Sequence, residues 1–540
     1  MEDGAQRSGR RRTLLAIAVA TLAGLALRSW QLDRQILIDD EFHAFRAGLR
    51  SDLSASYLFS HNTLPEDPLS DYSSALALWV RALAETVGIS EWTLRLPMVA
   101  ASAAVALVLG LLAWRSFGRR AGVLAAWLAA LSPLLIVYGR FARPYALVAL
   151  CGAIALAAAE RFRARGSLPA ALALGSAVAL GAWFNASSLP ALGVLGLLGF
   201  AAALRGRQGV PARRAAAVGI GLGGGLAAAL IGPSAEALAR FAEAKAAVAS
   251  VPPPSAWWGG AQAVAGIRAP LGVAAFGLAV LAGAVTGLRR APAATGLALA
   301  AIVAQLGAFV LLRPYGSEQP LVIARYAIAA FPGLLLLAAA GLARGLDRLP
   351  SPAAAASLGT ASLLLWAGFG PLPVIYGREN AYASHPSTLV APLHAVAPAA
   401  VPSFYRELQT RPNLELVEAP WVLEWPLAIP ADYQVIHGGR VRALTGFWTF
   451  REPGVRLAAM VGWRGDVPDL TGVDLVVVHR DLVEEWSQLT GGPATMPLDR
   501  LREAAQRYRI DAAALDGWLS TQRDWERGYQ DRWLHVYRRR

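Results

Sequence analysis

Three consecutive carboxylates, Asp39, Asp40 and Glu41, follow the first apolar block of the sequence. If these side chains were partly desolvated in a cleft, at least one of them would have a raised pKa or would need a cation. A carboxylate of that kind can act as a general base and take the proton of an incoming hydroxyl group. The same residues would also suit an exposed acidic loop, or a helix N-cap formed by Asp39 or Asp40, with no part in catalysis.

Three arginines could supply the complementary charge. Arg140 and Arg143 lie in a short segment between two apolar blocks, and Arg325 directly precedes a later block. Guanidinium groups bind phosphate through paired hydrogen bonds, although arginines at a membrane rim can also simply extend toward water. A carboxylate base and arginines together would suit the transfer of a group from a phosphate on a membrane lipid, because arginine stabilises the charge that develops on the departing phosphate. The sequence has no P-loop and no glycine-rich dinucleotide motif, which favours a lipid-linked donor over a nucleotide.

His43, His61 and Asp67 are further candidates for the same cleft, and together with Glu66 they raise the alternative of a metal site. Their spacing matches no known set of metal ligands. Residues 61–72 would equally form a polar turn bounded by prolines. We therefore expect no metal and no cofactor apart from the lipid-linked donor, with a divalent cation as the alternative.

The composition indicates what kind of structure must position these side chains. Hydrophobic residues make up 55% of the 540-residue chain and charged residues 16%, with a mean hydropathy of +0.42, whereas a soluble domain has ~25% charged residues. The apolar residues form blocks of about 20, the length of helix that crosses a bilayer. These features exclude a single soluble domain and a disordered chain, and they predict a polytopic α-helical membrane protein. The net charge is +13, but arginine clusters lie between the apolar blocks, which is typical of membrane topology signals rather than of nucleic-acid binding.

The apolar blocks predict about eleven transmembrane helices, the first of which could alternatively be a cleaved signal peptide. The blocks lie near residues 14–27, 96–114, 121–139, 144–160, 168–184, 189–204, 215–232, 270–288, 293–312, 326–343 and 353–370. Every second connecting segment is rich in arginine, so the positive-inside rule places the N-terminus in the cytoplasm. The loop after the first span, residues 31–95, then lies on the outer face. An odd number of spans places the region after residue 370 on the same face.

Residues 371–540 differ in composition from the rest of the chain, because charged residues, tryptophan, proline and histidine become frequent and no apolar block is long enough to span a bilayer. Short alternating or β-branched segments predict strands at 414–417, 433–436 and 474–478. Helical periodicity runs from Leu498 to Trp518. The sequence thus predicts a membrane domain over residues 1–370 and a small soluble α/β domain over residues 371–540.

Four segments, in order along the chain, resemble the motifs of a known family. They are Asp40-Glu41, Gly88 to Pro97 with the pattern Gly…Ser-Glu…Arg-Leu-Pro, Ser132 to Leu147, and Ala324-Arg325-Tyr326 with Pro332. In these segments the chain resembles the GT-C membrane glycosyltransferases, especially the dolichyl-phosphate-mannose/protein O-mannosyltransferase-like group that includes the lipid A aminoarabinose transferases. The resemblance covers roughly residues 1–345.

The resemblance implies a GT-C fold and an inverting transferase that uses a polyprenyl-phosphate sugar as donor, in the inner membrane of a bacterium. It implies that Asp40 is the general base and that Glu41 supports or positions it. It also implies that Arg143 and Arg325 bind the donor phosphate, and Arg140 in the same motif is a third candidate.

Two departures from the family pattern leave details open. Asp39 makes the acidic segment longer than the usual pair, so Asp39 is an alternative base. Asp67-Pro68-Leu69 stands where many relatives have paired prolines, so the sugar stays open, and the acceptor could be a hydroxyl or amine group of a glycolipid, a polysaccharide or a protein. Tyr145 and Tyr326, beside the arginine motifs, are further candidates for the cleft.

Two other functions compete with the transferase hypothesis. A lipid transporter or flippase usually carries charges near the membrane midplane and is built from two related halves, whereas the acids here avoid the predicted spans and no such repeat is visible. A catalytically silent relative that acts as a scaffold would have the same sequence features, and only an activity measurement separates it from an enzyme.

Overall fold

The computed structural model describes most of the helical part of the chain and portions of the C-terminal region. The described residues are 2–32, 41, 74–88, 90–204, 209–235, 238–239, 243, 251–314, 317, 320–369, 401–408, 410–411, 414–420, 433, 437, 440–443, 463–464, 467–468, 470–482, 484–485, 488 and 498–540. They divide between two compact units, one from residues 1–30, 61–75 and 95–373, and the other from residues 31–60, 76–94 and 374–540. The division predicted from the sequence, a membrane domain over residues 1–370 and a soluble domain over residues 371–540, stays a prediction.

Helices dominate the described chain up to residue 369. In chain order they are α1 (Glu2–Ser29), α2 (Ser74–Glu85), α3 (Glu91–Phe117), α4 (Arg119–Ala130), α5 (Pro133–Gly139), α6 (Tyr145–Arg165), α7 (Leu168–Phe184), α8 (Leu189–Leu204), α9 (Gly209–Leu230), α10 (Pro254–Ala265), α11 (Pro270–Arg290), α12 (Pro292–Leu312), α13 (Pro320–Tyr326), α14 (Phe331–Leu346) and α15 (Pro352–Phe369). Proline begins several of these helices. It is tolerated there because the first N–H groups of a helix have no acceptor within the helix, so the N–H group that proline lacks is not missed. Gly166 ends α6 with a φ of 59°, a left-handed conformation that glycine adopts without steric cost.

The described helices support a membrane fold. Five of them are long and apolar enough to cross a bilayer. Two pairs of consecutive helices are bent at a short break, α4–α5 by 50° and α13–α14 by 84°, and counting each pair as one span gives up to seven spans among the described residues. Each predicted apolar block coincides with a described helix or bent pair, while the figure of about eleven spans stays a prediction.

Glycines allow the membrane helices to approach closely. A Cβ atom on Gly283 of α11 would collide with the carbonyl oxygen of Leu337 in α14, and one on Gly341 of α14 would collide with the carbonyl oxygen of Ala279 in α11. Small residues at such contacts let two backbones pack against each other where lipid offers no hydrophobic driving force. Helices α7 and α9 meet in the same way through Gly175, Gly219 and Gly223.

The second unit contains a five-stranded mixed sheet in the order β2-β1-β5-β7-β6. Its strands, with a separate two-stranded ladder of β3 and β4, are β1 (Glu415–Ala419), β2 (Arg440–Ala443), β3 (Trp463–Arg464), β4 (Val467–Pro468), β5 (Leu475–His479), β6 (Trp525–Gln530) and β7 (Leu534–Arg539). Strand β1 runs parallel to β2 and β5, and β7 runs antiparallel to β5 and β6. The sheet stacks Val417 and Val476 in one buried cluster with Leu515 and Leu519 of a helix, α17 (Leu498–Thr521).

Three of the sequence-based elements of this unit agree with the described residues. The segments predicted at 414–417 and 474–478 overlap β1 and β5, and the predicted C-terminal helix overlaps α17. Tyr433 is helical, so the strand predicted to begin there is wrong at that residue, and residues 434–436 lie outside the described residues. The aromatic and apolar composition of that segment did not distinguish a helix from a strand.

A buried polar cluster lies at the carboxyl ends of the parallel strands β1 and β5. His479 Nε2 is 2.8 Å from Glu418 Oε2, and its Nδ1 is 2.9 Å from Glu485 Oε2. Tyr433 donates a hydrogen bond of 2.6 Å to Glu485, and Tyr405, in the short helix α16 (Ser403–Leu408), donates one of 3.1 Å to Glu418. All five side chains are buried, so their charges and hydrogen bonds must be satisfied within the cluster.

The charges of this cluster determine the pKa values of its members. Burial alone would lower the pKa of His479, but the neighbouring charge of Glu485 and the hydrogen bonds to both carboxylates raise it from 6.5 to about 10. Burial alone would raise the pKa of Glu418, but hydrogen bonds from His437 and His479 lower it below its ordinary value of 4.5. His479, whose pKa is raised, therefore lies between the carboxyl groups of Glu418 and Glu485.

Candidate functional site

The loop that carries the arginine motif lies between α5 and α6. Ser132 caps the N-terminus of α5 by accepting a hydrogen bond of 3.4 Å from the N–H group of Leu135, and Pro133 fills the first position of that helix. Helix α5 ends at Gly139, and Pro144 immediately precedes α6. The two prolines favour separate helices here, so the intervening residues form a short fixed connection.

Two of the predicted phosphate ligands meet at one aromatic ring. The Cζ atom of Arg143 lies 5.9 Å from the ring centroid of Tyr145, and the Cζ atom of Arg325 lies 5.8 Å from the same centroid. Tyr138 packs edge-on against Tyr145, with their ring centroids 4.7 Å apart. The structure thus brings together the arginines of two sequence motifs around Tyr145.

Burial increases the electrostatic effect of this arrangement. Arg143 is 6% exposed and Tyr145 is 4% exposed, and Arg325 is half-buried. A guanidinium over an aromatic ring is stabilised by the negative face of that ring. In a site of low dielectric constant, two guanidiniums attract an anion more strongly than they would in water.

Arg140, the third predicted phosphate ligand, contacts the end of the first helix. Its NH1 group donates hydrogen bonds of 3.4, 3.0 and 2.6 Å to the carbonyl oxygens of Leu27, Arg28 and Trp30. The last carbonyl groups of a helix have no partner within the helix, so this guanidinium caps α1. Arg140 is 1% exposed, and a role for it in phosphate binding stays a prediction.

Arg28, which the sequence analysis missed, makes the reciprocal connection. Its Nε group donates a hydrogen bond of 2.6 Å to the hydroxyl of Ser102, and its two terminal nitrogens donate bonds of 2.9 and 3.1 Å to the carbonyl oxygens of Ala130 and Ala129. Those carbonyls lie at the end of α4, beside the bend that precedes α5. The Ser102 hydroxyl in turn donates a bond of 2.6 Å to the carbonyl oxygen of Leu135. The signal in the sequence was a single arginine at the outer end of the first apolar block, where topology statistics disfavour it.

Arg325 and Tyr326 lie at the end of α13, next to the sharp bend before α14. The Tyr326 ring packs edge-on against Phe309 of α12, with centroids 5.6 Å apart, and Phe309 packs against Trp257 in the same way. Ile323 is buried in the same aromatic cluster. This packing holds the Tyr326 ring against α12, one residue from the arginine that contacts Tyr145.

The acidic half of the predicted site falls mainly outside the described residues. This applies to Asp39, Asp40, His43, His61 and Asp67. Glu41 is described and is fully buried. Among the described residues, no three His, Cys, Asp or Glu side chains are placed to hold a metal ion. The expectation of a site without a metal stays a prediction, because most of the residues that raised the metal alternative are not among these.

Comparison with known proteins supplies independent information about part of the chain. Residues 73–229 match the family model described as dolichyl-phosphate-mannose-protein mannosyltransferase. This segment includes Arg140, Arg143 and Tyr145, and it lies between the acidic motif and Arg325. No curated protein matches the sequence.

Several solved structures are similar over most of the chain. ArnT from Cupriavidus metallidurans in the apo state is 16% identical, with 98% of each chain covered and a TM-score of 0.46. The same protein bound to undecaprenyl phosphate is 14% identical, with 97% of each chain covered and a TM-score of 0.44. The archaeal oligosaccharyltransferase AglB from Archaeoglobus fulgidus, in complex with an inhibitory peptide and a dolichol-phosphate, is 12% identical, with 89% of this chain and 72% of that chain covered and a TM-score of 0.40.

The family match agrees with the resemblance that the ordered motifs predicted. It begins just before α2 and ends within the last turn of α9, so it contains the bent pair α4–α5 and the loop that carries Arg143. Over residues 73–229, this chain is therefore similar to the dolichyl-phosphate-mannose-protein mannosyltransferase family.

Proposed function

We propose that this protein is a GT-C-type glycosyltransferase that moves a sugar from a polyprenyl-phosphate carrier to a hydroxyl or amine group of an acceptor, on the outer face of a bacterial inner membrane. The observation that carries the proposal is the position of Arg143 and Arg325 at the Tyr145 ring, 5.9 and 5.8 Å from its centroid. The family match over residues 73–229 supports the reaction class. The membrane bilayer supplies the donor lipid, and the acceptor is a glycolipid, a polysaccharide or a protein.

The two arginines would act on the leaving group. As the bond between the sugar and the phosphate oxygen breaks, negative charge builds on the phosphate, and guanidinium groups held in place beforehand would stabilise it without reorganisation. Arginine suits this task because its planar N–H groups match the spacing of phosphate oxygens. The Tyr145 ring would keep both guanidinium groups oriented through its contact with each of them.

The base would be Asp40, as the family resemblance implies, with Asp39 as the alternative and Glu41 as a supporting residue. The carboxylate takes the proton from the acceptor, the acceptor oxygen or nitrogen bonds to the anomeric carbon of the sugar, and the polyprenyl phosphate departs from the opposite side. A single displacement of this kind inverts the configuration at the anomeric carbon. No step in this sequence requires a metal ion.

A transfer assay with the full-length protein in lipid nanodiscs tests this function. The donor is a radiolabelled polyprenyl-phosphate sugar, and a bacterial membrane extract supplies acceptors. We expect the wild-type protein to move label onto a new product and the Asp40→Asn variant to lose this activity while it keeps its thermal stability. Asp347→Asn is the matched control, because Asp347 is exposed and pairs with Arg120 at 2.7 Å.

Other outcomes of the assay would contradict the proposal. Full activity in Asp40→Asn, with loss of activity in Asp39→Asn, would move the base to Asp39. Release of intact donor across the bilayer of a proteoliposome would indicate a transporter. Absence of both transfer and transport would leave a scaffold, the third function that the sequence allows.

A further inference from the structure

A glutamine lies fully buried within the apolar helix α12. Gln305 is 2% exposed, and all of its amide groups are hydrogen-bonded. The oxygen Oε1 accepts a bond of 3.1 Å from the N–H group of Ala191, and Nε2 donates bonds of 2.7 and 2.8 Å to the carbonyl oxygens of Ser187 and Tyr326. An amide group in a membrane span is costly unless such partners exist, and polar residues in spans are commonly functional.

The bond to Tyr326 caps a broken helix. Tyr326 is the last residue of α13, and the chain continues as a 3-10 turn, Ala327–Ala329, before α14 begins. The N–H group of Ala330 bonds to the carbonyl of Ala327, so the regular helical pattern is interrupted at this point. Gln305 adds a side-chain donor to the Tyr326 carbonyl at the bend.

Helix α12 holds Tyr326 at two points. Gln305 binds its carbonyl group, and Phe309, one helical turn further along, packs against its ring at 5.6 Å. The other two bonds of Gln305 tie α12 to the turn Ala186–Ser188 and to the first turn of α8. The backbone position of Arg325, the preceding residue, is therefore fixed from α12 and not only from its own short helix.

We propose that Gln305 is a positioning residue that sets the place of Arg325 at the Tyr145 ring. The inference rests on the proposed function in that it takes Arg325 as a ligand of the donor phosphate. Gln305 acts by holding the carbonyl group that follows Arg325, so that the guanidinium meets Tyr145 and Arg143 without further ordering when the donor binds.

A double-mutant cycle tests this role. The measured quantity is the dissociation constant of undecaprenyl phosphate for the full-length protein in lipid nanodiscs. We expect Gln305→Leu, which removes all three hydrogen bonds of this side chain, to weaken binding about tenfold, because the backbone beside Arg325 is then no longer held by α12. In an Arg325→Ala background, which itself weakens binding, the same change should cost nothing further, because the guanidinium that Gln305 positions is gone. An equal loss in both backgrounds, or no loss in either, would overturn the inference.

Two further variants make the test independent of folding. Gln305→Glu has nearly the same shape, and its carboxyl group can donate to Tyr326 only when protonated, so its affinity relative to wild type should recover as the pH falls. A constant ratio across pH would contradict the proposal. Gln262→Leu is the control, because the bond of 2.7 Å that Gln262 of α10 donates to the carbonyl oxygen of Arg268 is exposed, and this variant should bind like wild type. If Arg325→Ala binds undecaprenyl phosphate like wild type, Arg325 is not a ligand of the donor phosphate. The inference about Gln305 then fails together with that assignment.

Discussion

Arg325 lies over the ring of Tyr145, with its Cζ atom 5.8 Å from the ring centroid. The contact joins two motifs that are distant in sequence, one at the start of α6 and the other at the end of α13. Because Arg143 meets the same ring at 5.9 Å, Tyr145 is the common neighbour of both guanidinium groups. This relationship leads to a prediction about the ring itself.

Replacing Tyr145 by Leu should weaken binding of undecaprenyl phosphate about three- to tenfold, because a cation–π contact with each arginine is lost. Replacing it by Phe should keep the affinity near the wild-type value, since the ring remains and only the hydroxyl is removed. The dissociation constant in nanodiscs measures both changes. A similar loss in the two variants would show that the hydroxyl, not the ring, supports binding.

The bend between α4 and α5 should depend on Arg28. Changing Arg28 to Met keeps the length of the side chain but leaves Ser102 and the carbonyls of Ala129 and Ala130 without the bonds it donates. Buried polar groups that lose their partners cost about 1–3 kcal/mol each, so thermal unfolding of the purified protein should shift down by several degrees.

The matched control for this variant is Arg120→Met. Arg120 pairs with Asp347 at 2.7 Å, but both side chains are about two-fifths exposed, and an exposed ion pair contributes about 0–1 kcal/mol. Its melting temperature should stay near that of wild type. Equal shifts for Arg28→Met and Arg120→Met would mean that the network at the bend does not contribute to stability.

Close packing of α11 against α14 predicts a difference between two glycines of one helix. A methyl group on Gly283 would strike the backbone of α14, whereas one on Gly277 has nothing within 4 Å. Gly283→Ala should therefore lower the melting temperature by separating the helices, and Gly277→Ala should leave it unchanged or raise it slightly, since alanine favours a helix. Differential scanning fluorimetry of the two variants side by side measures this, and equal melting temperatures would contradict the observed contact.

The sequence predicted some parts of this molecule well, for identifiable physical reasons. Apolar blocks the length of a bilayer specify helices, so every predicted block has a helical counterpart. Family motifs singled out Arg143 and Arg325, which the structure places at one ring, while their role as phosphate ligands stays a prediction. Gln305 was missed because the spacing of apolar residues does not show which backbone group a single buried amide will reach.

Other features depend on contacts that no local pattern encodes. The breaks at α4–α5 and α13–α14 are distant in sequence from the side chains that satisfy their carbonyl groups. His479 ends a run of valines that is typical of a buried strand, and its two carboxylate partners come from other segments. The acidic motif could be assigned a role only by resemblance, because Asp39 and Asp40 lie outside the described residues.

The buried cluster around His479 predicts how the stability of the second unit changes with pH. The pKa of His479 is about 10, above its ordinary value of 6.5, so the protonated form stabilises the fold fully below pH 6.5 and this contribution disappears as the pH rises through about 10. The pKa of Glu418 is below 4.5, so its contribution is present above that pH and is lost on acidification.

Chemical denaturation of the purified protein, followed by tryptophan fluorescence between pH 6 and pH 10.5, should show a lower free energy of unfolding at the alkaline end. In a His479→Gln variant, which keeps a hydrogen-bonding side chain but cannot carry the charge, this alkaline weakening should be absent and stability at pH 6 should be lower. The same alkaline slope in the variant and the wild type would assign the effect to another group.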